Sequence, residues 1–184
     1  MKTIAFSWIW NTWKSTAIQN LKDKLELEWQ KVLIYPEIAR QLFNVLETQG
    51  ITQFQKEINR KEIDRLSQIH NEKSKWIYDT LLIDRTTVDN RVYFEFNKSI
   101  WKIDSNEQIE KTYNWIYDNI ILFTEPIKET NSREDFKAYD DYKYLRLLFD
   151  RFINHYYDLR KVERLRNNKE DWDKIYNLTK QLWV

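Results

Sequence analysis

Apolar residues fall along this chain in two alternating patterns. Short, nearly continuous apolar runs lie near 2–7, 31–35, 79–84, 117–123 and 161–165. Runs of this length bounded by polar segments predict buried strands. Between them, apolar positions recur at helical spacing over 14–27, 36–48, 53–74, 87–98, 105–114, 134–156 and 169–181. Strands buried on both faces and alternating with helices predict an α/β fold, a five-stranded parallel sheet with helices on both sides. No repeat, low-complexity tract or Pro/Gly linker divides residues 1–184, so they read as a single domain. Segment 53–74 is so rich in charge that most of its surface reads as a solvated face.

Composition narrows the class. The chain has 184 residues, 42% hydrophobic and 32% charged, enough apolar content for one core. Lys+Arg 30 against Asp+Glu 29 gives a net charge of +1, so no bulk field favours nucleic acid or an anionic membrane. The absence of cysteine excludes disulfides, thiolate zinc sites and a thiol nucleophile. No apolar run approaches the roughly 18 residues of a membrane span, and the apolar stretch after Met1 is too short for a secretory signal. A cytoplasmic, soluble protein is expected, with neither nucleic acid nor membrane as partner.

One pair of counts changes the picture: Gly 1 and Trp 9. Average usage of about 7% would give roughly 13 glycines. Trp29, Trp76 and Trp115 each fall between a helical and a strand pattern, where a left-handed residue, usually Gly, ends the helix. At the N-terminus a strand pattern leads into Trp8-Ile-Trp10-Asn11-Thr12-Trp13-Lys14-Ser15-Thr16 and then a helix. A phosphate-binding P-loop reads G-x-x-x-x-G-K-[ST] in that setting. With glycine at Trp8 and Trp13 the motif is complete, and a glycine at Trp10 also suits it. Two readings stand. In one, the tryptophans occupy glycine positions because a genome that reads UGA as glycine was translated with a code that reads it as tryptophan. In the other they are native, forming a core or a stacking platform for bases or sugars. The loop frame and the helix-end sites favour the first.

Candidate chemistry follows the predicted strand ends. In a P-loop, backbone amides cradle phosphates, Lys14 neutralises their oxygens and Ser15 ligates Mg²⁺. Thr80-Leu-Leu-Ile-Asp84 is an apolar strand ending in a carboxylate, the Walker-B arrangement for the same ion. Arg85 after it can clamp a substrate or phosphate, and Asp89 lies one helical turn further; both also suit helix capping and ion pairing. Glu37, after the second strand, is placed to accept a hydroxyl proton or hold a substrate, with Arg40 on the same side. A glutamate in a helical first turn is the alternative. The polar stretch about 127–140 suits a lid whose Arg133 reaches the transferred phosphate. Asn167, after the last strand, is a candidate adenine contact.

Together these segments resemble the AAA-type P-loop ATPase/kinase family related to the NadR nicotinamide riboside kinase domain. The matching segments are 2–16, Tyr35-Pro-Glu-Ile-Ala-Arg40, Asp84-Arg-Thr-x-x-Asp89, and Tyr117 to Phe123 leading to Arg133 and Asp135. The Asp-Arg-Thr segment also resembles deoxynucleoside and thymidylate kinases. The resemblance implies a P-loop NTPase fold, three-layer α/β/α with a helical lid. It also implies ATP and Mg²⁺ binding and, in kinase members, phosphoryl transfer to a nucleoside-like hydroxyl. The expected activity is therefore transfer of the ATP γ-phosphate to a nucleoside or nucleotide-like small molecule, by a monomer or homodimer. An ATPase/GTPase-like switch without small-molecule kinase activity is the second class.

Overall fold

A computed structural model describes residues 1–7, 14–110, 116–123, 139–156, 158–165 and 169–181. The strands are β1 (Lys2–Ser7), β2 (Val32–Tyr35), β3 (Thr80–Asp84), β4 (Asn119–Phe123) and β5 (Val162–Leu165). The helices are α1 (Lys14–Leu27), α2 (Ile38–Gln41), α3 (Phe43–Lys75), α4 (Thr87–Ser99), α5 (Tyr139–Tyr156) and α6 (Lys169–Gln181). All strand pairs are parallel, in the order β2-β3-β1-β4-β5. The expected five-stranded parallel sheet is thus the observed one.

Handedness fixes the layers. The β1-to-β2 connection runs toward one edge, whereas those from β2 to β3, β3 to β4 and β4 to β5 run the other way. Right-handed crossovers then put α1 on one face and α3, α4 and α5 on the other. The contacts agree: α1 packs on α6, α3 on α4, and α4 on α5. The apolar runs explain the core. Leu81, Leu82 and Ile83 of β3 and Ile4, Ala5 and Phe6 of β1 are buried with Ile120–Phe123 of β4. A smaller cluster of Ile38, Leu42, Phe54 and Ile58 lies under α2 and the start of α3.

Two helical segments depart from expectation. The helices expected over 36–48 and 53–74 form α2 plus one long α3, broken at Gly50, whose φ of 79° and ψ of 176° are not helical. The chain's single glycine therefore sits where a positive φ is required. Residues 105–110 of the helix expected over 105–114 are turn and coil; 111–115 lie outside the described residues. Tertiary contacts override the helical spacing there. Ile103 and Ile109 pack on Phe94, the carbonyls of Glu107 and Ile109 accept from Lys98 and Arg91 of α4, and Glu107 pairs with Lys56 at 2.6 Å.

The tryptophans at helix ends have a distinctive backbone. Trp29, Trp76 and Trp101 have φ of 65°, 55° and 60°, left-handed values that an L-residue with a bulky side chain rarely adopts. At the end of α1, Trp29 N–H donates to Glu26 O at 3.0 Å and Gln30 N–H to Leu25 O at 3.2 Å. At the end of α4, Trp101 donates to Lys98 O at 3.1 Å and Lys102 to Asn97 O at 2.9 Å. Both are Schellman motifs with tryptophan at C′, the position that glycine dominates. The three residues are 94%, 75% and 87% exposed, so no packing offsets the backbone cost. Trp101 joins this set although its sequence context did not single it out; Trp115 lies outside the described residues.

Candidate active site

In a doubly wound sheet, ligands bind at the carboxyl ends of strands whose following helices leave on opposite faces. Here β1 feeds α1 on one face, while its neighbours β3 and β4 feed helices on the other. Register places the candidate side chains at that edge. Phe6 lies beside Asp84, Ser7 beside Leu122, and Tyr35 beside Ile83. The end of β1 at Ser7, Asp84 itself and Pro36-Glu37 therefore converge.

Two constellations form. In the first, Ser15 Oγ donates to Asp84 Oδ2 at 2.9 Å across 69 residues of sequence. Asp84 Oδ1 is buried and accepts no hydrogen bond among the described residues. A buried carboxylate oxygen left open beside a hydroxyl is a donor set that suits Mg²⁺, which takes one or two protein oxygens and completes its shell with phosphate and water. No cluster of three or more His, Asp or Glu able to hold a metal exists among the described residues.

The second constellation centres on Glu37, which is buried. Its Oε1 pairs with Arg85 Nε and its Oε2 with Arg40 Nε at 2.9 Å. Arg85 Nη1 is also 3.7 Å from Asp89 Oδ1, and the guanidinium lies 5.2 Å from the Tyr93 ring centroid. Burial opposes its charge, but Tyr93, Glu37 and Asp89 outweigh that and raise its pKa above the ordinary arginine value. Asp89 faces inward. Its Oδ2 accepts from Thr86 N–H at 2.8 Å, Thr86 Oγ1 at 2.6 Å and Ser7 Oγ at 2.9 Å. The Thr86 contact is that of a helix capping box at the start of α4.

Beside Glu37 and Arg85 opens a cavity of about 260 Å³. Phe43, Phe54 and Tyr93 supply ring surface, and Gln55, Asn90 and Asn97 supply amides. Gln55 Oε1 and Asn90 Oδ1 are buried there without hydrogen-bond partners among the described residues. Buried amide oxygens left open cost free energy unless a ligand answers them. The combination of flat apolar walls and inward polar groups suits a planar heteroaromatic ring.

Glu62 closes the back of this cavity, 3% exposed and paired with Arg65. Burial dominates its titration. Assisted by Asp89 and opposed by Arg65 and Arg85, it pushes the carboxyl up to about 7 from the ordinary 4.5. The folded protein then holds a proton between these values that the unfolded chain has released. Stability from this group is present below about 4.5 and is lost as pH rises through about 7. Glu62→Gln is expected to flatten the pH dependence of unfolding free energy across that interval, as read from urea transitions. An unchanged slope would assign the dependence to other groups.

No protein-family model matches the chain, and no curated protein matches it. Solved structures do match. The deoxyadenosine kinase of M. mycoides with bound dATP superposes with TM-score 0.57 and 16% identity, covering 98% of this chain and 98% of that one. A second structure of that kinase, with bound dCTP, gives TM-score 0.59 and 14% identity over 99% and 100%. This chain has a P-loop kinase fold. The α/β expectation holds in strand number, strand direction and layers; at these identities the likeness speaks for the fold and not for the reaction. No helix among the described residues is long and apolar enough to cross a membrane.

The structure brings together Ser15, Glu37, Arg40, Asp84, Arg85 and Asp89. Thr16 is exposed in the first turn of α1, whose helix Lys14 opens. Trp8, Trp10, Asn11, Thr12 and Trp13, the side chain of Lys14, Arg133 with residues 127–138 of the expected lid, and Asn167 lie outside the described residues. Gln55, Asn90, Glu62 and Arg65 were not singled out from sequence, although Phe54, Ile58 and Ile69 mark the buried stripe of α3 to which Gln55, Glu62 and Arg65 belong.

Proposed function

We propose that the protein is a nucleoside kinase that transfers the ATP γ-phosphate to a hydroxyl of a nucleoside. One observation carries the reading. A hydroxyl–carboxylate pair suited to Mg²⁺, Ser15–Asp84, shares a sheet edge with a buried carboxylate–guanidinium pair, Glu37–Arg85, at the mouth of a ring-lined cavity. The matched solved structures, deoxyadenosine kinases with bound deoxynucleotides, support the same substrate class. The cavity favours a kinase over a nucleotide-dependent switch, which needs no acceptor site.

The roles follow from position. Lys14 and the loop amides before it hold the ATP phosphates, Ser15 and Asp84 hold Mg²⁺, and Arg133 from the lid meets the moving phosphoryl group. Bound Mg²⁺ supplies charge neutralisation at the phosphates. Glu37 accepts the proton of the attacking hydroxyl, and Arg85 orients that carboxylate and the sugar beside it. Arg40 screens its second oxygen, and Asp89 holds Arg85 rather than the acceptor. The base lies between Phe54 and Tyr93 and offers donor hydrogens to the open oxygens of Gln55 and Asn90.

Such a loop needs glycine at positions 8 and 13, and we propose that the tryptophans, these two included, stand at glycine positions in the native protein. The support is backbone geometry at Trp29, Trp76 and Trp101: positive φ, helix C-termini and exposed side chains. The mass of the protein purified from its own source reads the residues directly. A chain carrying Trp8→Gly and Trp13→Gly is expected to bind Mg·ATP with micromolar-scale affinity in titration calorimetry, and Lys14→Ala in that background to abolish it. Undiminished binding would reject the loop. Incubation with ATP and nucleosides then separates the two classes: a nucleoside monophosphate is the kinase product, whereas free phosphate alone is that of a switch.

A further inference from the structure

Arg65 has no role in the scheme above, yet its guanidinium sits behind the residues that scheme uses. The side chain rises from the middle of α3 and is 4% exposed. Its Nη1 donates to the carbonyl of Pro36 at 3.3 Å and, at the limit of a hydrogen bond, to that of Asp84 at 3.5 Å. Its Nη2 donates to the carbonyl of Arg85 at 3.0 Å and to the Glu62 carboxylate. The ladder between β2 and β3 runs only as far as Tyr35 and Ile83. Beyond it one chain continues as Pro36-Glu37 and the other as Asp84-Arg85. Arg65 supplies the cross-link that the ladder no longer provides.

Arg85 needs such support. Its φ of 78° is a left-handed value for a non-glycine residue, and such conformations persist only where surrounding groups hold them. Its N–H donates to Phe6 O at 2.9 Å and its carbonyl accepts from Arg65, so both of its peptide groups are tied. A planar, five-donor guanidinium can reach carbonyls on two strands at once, which an ammonium cannot. Burying that cation requires acceptors around it, and Glu62, three residues earlier on the same helix, supplies one that carries a counter-charge once pH exceeds about 7.

We propose that Arg65 is a positioning residue: by binding the carbonyls of Pro36, Asp84 and Arg85 it holds Glu37 and Arg85 in register, with Glu62 as its buried hydrogen-bond partner. The word positioning rests on the kinase reading, whereas the clamp itself is a property of the folded chain. Two full-length variants test it. Glu62→Leu with Arg65→Met removes both charges and leaves no buried ion unpaired. Arg65→Lys keeps the charge opposite Glu62 and removes the fork.

The first readout needs no activity. The Arg85 Nε–H bonded to Glu37 should give a protected resonance in a ¹H–¹⁵N spectrum, assigned by its absence in Arg85→Lys. That resonance is expected to disappear in both variants while the amide spectrum stays dispersed. The second readout is kcat for phosphoryl transfer in the background with glycine at positions 8 and 13. A fall of about 10–100-fold is expected, with the Kd for ATP unchanged within about twofold, since a misplacement near 1 Å can cost that much. A resonance that persists overturns the proposal whatever the rate does. So does an unchanged kcat in variants that have lost it. A parent that transfers no phosphate, but whose variants lose the resonance, rejects the kinase reading and leaves the clamp standing.

Discussion

Glu37→Gln is expected to lower kcat for phosphoryl transfer by about 10²–10⁴-fold, the usual range for loss of a positioned general base. Removing Glu37 strikes two functions at once. The amide cannot take the proton of the attacking hydroxyl, and it replaces a carboxylate whose two oxygens face Arg85 and Arg40. One of those faces then meets donor with donor. The Kd for ATP should stay within about twofold, because Glu37 lies on the acceptor side of the edge and Ser15–Asp84 on the other. Steady-state kinetics and direct nucleotide binding, compared in the background with glycine at positions 8 and 13, separate these effects. Retention of more than about a tenth of the parent kcat would reduce Glu37 to a structural ion-pair partner.

Converting Trp29, Trp76 and Trp101 to glycine together is expected to stabilise the protein by about 2–3 kcal/mol. A left-handed backbone costs an L-residue about 1–2 kcal/mol, which glycine avoids. The greater freedom of glycine in the unfolded chain returns about 0.4–1 kcal/mol of that at each site. Little else opposes the gain, since side chains 94%, 75% and 87% exposed bury almost no apolar surface. The three sites end different helices, so the effects should add. Against a total of about 5–15 kcal/mol for a domain, the change is large and visible in both urea midpoint and Tm. Tryptophan is the worst test of such a position and glycine the best, so a loss of stability in the triple variant would show that the aromatics are native and packed. That outcome would also remove the main support for glycine at positions 8 and 13.

The sheet was legible because its strands are buried on both faces, so Leu81–Ile83 and Ile120–Phe123 carry an unbroken apolar signal. Strand ends were legible for the same reason: Asp84 and Glu37 stand where the apolar run stops. The loop frame around Lys14 and Ser15 depends on spacing alone, and spacing survives a change of residue type at positions 8 and 13. The segment 105–110 departs from its helical spacing because the carbonyls of Glu107 and Ile109 are satisfied by Lys98 and Arg91 of α4, a tertiary effect with no local trace. The buried polar stripe of α3 was missed for a different reason. Glu62 and Arg65 pair over one turn, and in a run of charges such a pair looks like any solvated pair. Their phase relative to Ile58 and Ile69 was the available signal.

The break at Gly50 bears on how a ligand would reach the cavity beside Glu37. Ala39 and Phe43, on one wall, belong to the short segment before the break, whose small cluster around Ile38 and Leu42 is separate from the core that holds the sheet. A region with its own few apolar contacts opens at a fraction of the free energy that unfolds the whole domain. Entry of a rigid, flat ligand would therefore draw on the cooperativity of this outlying unit, with amide protection lower there than in the strands β2 and β3 that lead to Glu37 and Asp84.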